Sequence, residues 1–307
     1  MFWLFLVVIF LIGTLQPIQT SANSRAKDYL GSPIVASLCN FMVGTLLTLA
    51  LALIVERGVW MDSEALSRIP WWAWLGGAAG VVGITANILL FPKLGSMQTV
   101  LMPMVGQILS GFLIDSFGLF RSAVYPVSVL RLIGFAVVLA GVFLAVTRDG
   151  RNLRVKGLLA WQLLGICGGA VLAMQPAINS QLALGAGSPL KASFISFACG
   201  FALLLVICSI FKGHRENIVH IVTVRRPLWT WVGGLCGVIC VVGQTYLVKT
   251  VGVGLLTILN IFGMLACSVL IDHFGLLGAS RRPVTGKRAL GLALVLAGIV
   301  LLNIRPM

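Results

Sequence analysis

Residues 15–44 read LQPIQTSANSRAKDYLGSPIVASLCNFMVG, and residues 172–200 read LAMQPAINSQLALGAGSPLKASFISFACG. Set in register, Gln19, Asn23, Gly31, Ser32, Pro33, Ser37, Phe41 and Gly44 match Gln175, Asn179, Gly187, Ser188, Pro189, Ser193, Phe197 and Gly200, each 156 positions further on. After one inserted residue the offset becomes 157. Pro70, Trp72, Trp74, Gly76, Gly77 and Gly80 then match Pro227, Trp229, Trp231, Gly233, Gly234 and Gly237. Asp115, Phe117 and Gly118 match Asp272, Phe274 and Gly275, and Pro126, Arg131, Gly134 and Gly141 match Pro283, Arg288, Gly291 and Gly298. Identities held in register over this distance mark an internal duplication.

Composition says where the duplicated chain resides. Of 307 residues, 59% are hydrophobic and 10% charged, against about 25% charged in a soluble domain. A soluble fold is excluded, and apolar runs longer than the roughly 18 residues of a membrane-crossing helix are too long for barrel strands. The reading is an all-α integral membrane protein of ten transmembrane helices. Five spans lie at about 2–22, 33–55, 71–91, 96–118 and 127–146, and five more at about 157–178, 189–211, 229–248, 254–274 and 288–304. The opening MFWLFLVVIFLIGTL has no basic leader, so it is expected to stay as the first span rather than be cleaved. Residues 1–147 form the first repeat, the basic stretch 148–156 a cytoplasmic linker, and 157–307 the second repeat.

An odd number of crossings begins and ends on opposite sides of the membrane, so the second repeat is expected to insert inverted. Inverted repeats recur in secondary transporters. Of the 22 Lys and Arg residues, 15 fall in alternate loops beginning with the first, which puts those loops in the cytoplasm and both termini on the other side. The net charge of +14 is spread over these short segments and does not form a nucleic-acid-binding face. All seven cysteines sit in apolar stretches without metal-ligand spacing and read as small buried hydrophobes. No cofactor or metal is expected.

The Q-x-x-x-N, G-S-P, F-x-x-G and D-x-F-G elements, present in both halves, resemble the signature of the YdcZ-type family of the drug/metabolite transporter superfamily. The resemblance covers both repeats and implies a bacterial inner-membrane location and export. It also implies a central cavity enclosed by the first four helices of each half, with the fifth more peripheral. The small multidrug branch is similar in plan, but its acidic residue in the first helix has no counterpart here, which argues against a carboxylate-centred drug/proton exchange.

Candidate functional residues are few. Gln19 and Asn23, like Gln175 and Asn179, are four apart and share one helix face. Pro17 and Pro176 lie beside them and are expected to open the helix there. Asn87 and Gln244 are a second equivalent amide pair. These six amides either line a solute site or bond between helices as packing glue. Asp115 and Asp272 are the acidic residues inside spans, the other six being placed in loops, and each precedes an arginine, Arg131 or Arg288, by 16 positions. Each pair either clamps its hairpin or opens and closes as a gate. Pro103 opposite Asn260 breaks the symmetry of the repeat. The G-x-x-x-G pairs Gly76/Gly80, Gly233/Gly237 and Gly165/Gly169 suit close helix packing, and the tryptophan clusters suit the membrane interface.

The expected activity is therefore secondary transport of a small metabolite or drug-like solute, with the lipid bilayer and that solute as partners and a homodimer left open. A small-ion channel is the alternative. An integral-membrane enzyme is the weaker rival, because acid, base and metal ligands are too few to build a catalytic site.

Overall fold

The computed structural model describes residues 2–59, 64, 67, 69–122, 124, 127–146, 157–251, 253–278, 281 and 285–303. All regular structure among them is helical. The order is α1 (Phe2–Leu30), α2 (Pro33–Val55), a 3-10 turn (Trp71–Leu75), α3 (Gly76–Phe117), a 3-10 turn (Leu119–Arg121) and α4 (Val129–Val146). The second half follows as α5 (Leu158–Ala186), α6 (Pro189–Ile210), the short α7 (Lys212–Ile218) and α8 (His220–Thr223), and a 3-10 turn (Leu228–Trp231). It ends with α9 (Val232–Val251), α10 (Val253–Phe274), a 3-10 turn (Leu276–Gly278) and α11 (Gly286–Asn303). The expected linker at 148–156 lies outside the described residues.

Among the described residues, six stretches are long and apolar enough to cross a membrane: Trp3–Leu30, Pro33–Val55, Trp71–Gly95, Leu158–Ala186, Pro189–Ile210 and Leu228–Leu247. Four shorter apolar helices, Gln98–Ile114, Val129–Leu144, Leu259–Phe274 and Ala289–Leu301, occupy the remaining places marked by hydropathy.

Several details depart from the sequence reading. The first helix continues to Leu30, past the expected end at Ala22, so Asp28 sits in its last turns, 3.6 Å from Arg25 on an exposed face. Pro17 and Pro176 do not open their helices: α1 and α5 pass through them. Each proline forfeits one backbone bond, and tight packing by neighbouring helices keeps the rest of the ladder intact. The third and fourth spans are separate helices as expected, but they meet directly at a kink at Gly95, whose φ of 78° and ψ of 172° suit glycine alone. Cys167 is exposed, unlike the buried Cys39, Cys208, Cys236 and Cys240, because its side of α5 faces outward.

Glycines set how the halves meet. A Cβ at Gly13 would strike the Asn260 carbonyl, and one at Gly169, the equivalent position, would strike the Pro103 carbonyl. Gly106 meets the carbonyl of Ile166, and Gly263 that of Phe10. Gly77 meets Ser196 and Cys199 as Gly234 meets Asn40 and Val43; Gly44 lies on Phe197 as Gly200 lies on Phe41. These contacts recur with the halves exchanged, as in a two-fold, self-complementary interface. In lipid, such close backbone approach is what holds helices together.

The direction of these pairings is also fixed. The start of α2 lies beside the segment just past the end of α6, where Ser32 and His214 of α7 share a 3.0 Å bond, while the end of α2 meets the start of α6 where Ser188 donates to Glu56. The helices therefore run antiparallel. So do α4 and α11, where Gly141 abuts Gly291 and Val295 while Gly298 abuts Gly134 and Val138.

Candidate functional site

The amide stripe predicted on α1 is longer than expected. Gln16, Gln19, Thr20 and Asn23 all border one cavity, as spacings of three, four and seven along a helix require. Gln175, Asn179 and Ser180 border it from α5, Asn87 and Gln107 from α3, and Gln244 and Thr245 from α9. All six amides singled out from the sequence therefore meet at one place. The cavity measures about 190 Å³, room for on the order of ten water-sized groups.

Helix-start glycines bring the amides inward from opposite halves. A Cβ at Gly76 would fall on Asn179 Oδ1, and one at Gly233 on Asn23 Oδ1. One turn along, Gly80 lies 2.6 Å, measured from such a Cβ, from Gln175 Nε2, and Gly237 lies 2.8 Å from Gln19 Nε2. The G-x-x-x-G pairs thus do more than allow helices to approach: they leave space for carboxamides contributed by the other repeat.

The amides differ in their partners. Asn23 Oδ1 accepts a 3.1 Å bond from Asn40 Nδ2, and Gln16 Nε2 donates to Asn260 Oδ1 over 3.3 Å. Asn179 has no partner for either Oδ1 or Nδ2 among the described residues, although it is only 1% exposed. Apolar walls are supplied by Phe41, Phe197, Ile84, Leu172 and Ile261.

Arg131 also borders the cavity, and its guanidinium carbon stands 5.0 Å from the centre of the Phe112 ring. The arginine and Ile299 bring the fifth helix of each half to the cavity wall, so those helices are less peripheral than the resemblance implies. Asp272 is 2% exposed. The side chains of Asp115 and Arg288 lie outside the described residues, and so does the geometry of both expected Asp/Arg pairs.

Sequence reasoning missed Gln16, Gln107 and Thr245 at the cavity, and Asn40 and Ser196 behind it. Gln16 was accessible by extending the helical spacing backwards from Gln19. The others carried no local signal, since only the crossing of helices brings them to the amides. Among the described residues, no group of three or more His, Cys, Asp or Glu is placed to hold a metal.

The family described as "Putative inner membrane exporter, YdcZ" matches this chain twice, over residues 4–144 and again over 160–301. The chain belongs to the YdcZ family. Inner membrane protein YdcZ of Escherichia coli (strain K12) is 25% identical over 134 residues, which cover 43% of this chain and 87% of that protein. One repeat here thus corresponds to nearly a whole YdcZ relative, as a duplication requires. The fold is also that of a solved structure described as "Crystal structure of protein", with a TM-score of 0.63 and 15% identity over 96% of this chain and 97% of that one. As a YdcZ-family member with helices of membrane-crossing length, the chain is a multi-pass protein of the bacterial inner membrane.

Proposed function

We propose that the chain is a secondary transporter that exports a small solute by alternating access through the cavity between two five-span repeats of opposite orientation. The observation that carries this reading is the convergence of repeat-equivalent amides from both halves on one cavity. The exchanged glycine contacts and the antiparallel course of α2 and α6 support the inversion, because equivalent helices of inverted copies must run in opposite directions.

On this reading residues 1–147 and 157–307 are the repeats, 148–156 joins them in the cytoplasm, and both termini lie outside. Gln19, Asn23, Asn87, Gln175, Asn179 and Gln244 recognise the solute by hydrogen bonds. Asp115 with Arg131 and Asp272 with Arg288 alternate as gates at the two mouths. Arg131 beside the cavity supports the first of these assignments.

The test is exchange of labelled metabolites and drug-like solutes across liposomes holding the purified chain. Saturable counterflow is expected, reduced at least tenfold by Gln175→Leu and altered in pH dependence by Asp115→Asn. Unsaturable flux at channel rates, or exchange unaffected by both substitutions, would refute the proposal.

A further inference from the structure

We propose that the Asn179 carboxamide, with the Ser196 hydroxyl beside it, is the polar anchor of the solute site. It selects a neutral planar group with one hydrogen-bond donor next to one acceptor: a carboxamide, a lactam or the edge of a nucleobase. This rests on the transport reading and adds the class of solute.

Buried polar side chains almost always find partners, and leaving one unsatisfied is costly. Asn179 has a donor and an acceptor both without partner among the described residues, and Ser196 Oγ is in the same condition at 2% exposed. The two groups converge. A Cβ on Gly76 would strike Asn179 Oδ1 and lie 3.3 Å from Ser196 Oγ. Asn179 borders the cavity, and so does Thr245, whose Oγ1 is also unpartnered.

The first half differs, although Asn40 Oδ1 is itself unpartnered there among the described residues. Asn40 occupies the position equivalent to Ser196, 156 residues earlier, and its Nδ2 bonds Asn23 Oδ1 at 3.1 Å. Serine carries no amide to donate in the same way, and the second-half amide is left without a hydrogen-bond partner among the described residues.

A side-chain amide presents two donors and an acceptor carbonyl. A ligand amide edge satisfies one donor and the carbonyl together. At this anchor a carboxylate offers acceptors only and would set its charge against Oδ1, while the cavity's arginine, Arg131, stands on α4 over Phe112. A cation finds no acidic side chain among the described residues lining the cavity. The apolar walls suit the body of a flat ligand.

Benzamide and acetophenone test this directly, since they share shape and differ in NH2 against CH3. Equilibrium dialysis against the purified full-length chain should show benzamide bound at least tenfold more tightly. Asn179→Leu should bring benzamide down to the level of acetophenone. Ser196→Asn, which installs the partner found in the first half, should remove the preference while leaving the chain folded. Equal binding of the two probes by the wild type, binding of neither, or a preference that survives both substitutions would overturn the assignment. The transport reading is tested apart from it: saturable exchange of amide-free solutes would keep that reading while the amide anchor fell, and absence of exchange for every solute would sink both.

Discussion

Replacing Gly106 with alanine places a methyl group where the Ile166 carbonyl already lies, with Ala170 N at 2.7 Å and the Ile166 carbonyl carbon at 2.8 Å. Carbon contacts are comfortable at about 3.5–4.0 Å, so α3 and α5 must separate by roughly 1 Å at their crossing. Overpacking of this kind costs about 1–3 kcal/mol. Gly111, five residues further along the same helix, has nothing within 4 Å of its would-be Cβ. There alanine meets no obstacle and gains up to about 1 kcal/mol of helix propensity. Thermal unfolding in detergent should therefore separate the two: Gly106→Ala lowers Tm by about 2–9 °C at roughly 2–3 °C per kcal/mol, and Gly111→Ala leaves it unchanged or raises it. The two-fold relation adds a third arm, because Gly263 meets the Phe10 carbonyl in the equivalent way and Gly263→Ala should fall as Gly106→Ala does. Wild-type stability in Gly106→Ala, or a drop confined to one half, would refute the packing argument.

Other substitutions test separate parts of the structure. Ser37 and Thr85 share a buried 2.8 Å hydrogen bond, so Ser37→Ala should cost about 1 kcal/mol in unfolding experiments, with less than additive loss when joined to Thr85→Val. Gly95→Ala forces an L side chain into the backbone that breaks α3 and should destabilise by about 1–3 kcal/mol, read by the same thermal assay. Arg131→Leu removes a cation held 5.0 Å over Phe112 at the cavity wall. It should abolish solute counterflow in liposomes, and Arg131→Lys should restore part of it.

The duplication, the helical class and the amide stripe were legible because they depend on local periodicity. Gln19 and Asn23 share a face whatever surrounds them, and a fixed offset exposes their copies. The passage of α1 through Pro17 was not legible, because what keeps that helix continuous is packing against distant segments such as Asn260 beside Gly13. The contrast between Asn23 and Asn179 was hidden for a related reason. The two residues match as a pair, and their difference arises from Asn40 and Ser196 on neighbouring helices. Likewise the glycines signalled close packing, but not that the packed groups are amides from the opposite half.

The opposite orientation of the repeats is tested most directly with Leu119 and Leu276, equivalent positions just past α3 and α10, 43% and 48% exposed. In a chain without other cysteines, Leu119→Cys should react with a membrane-impermeant maleimide added to spheroplasts. Leu276→Cys should react only in inside-out vesicles. Labelling of both cysteines from the same side would contradict the account.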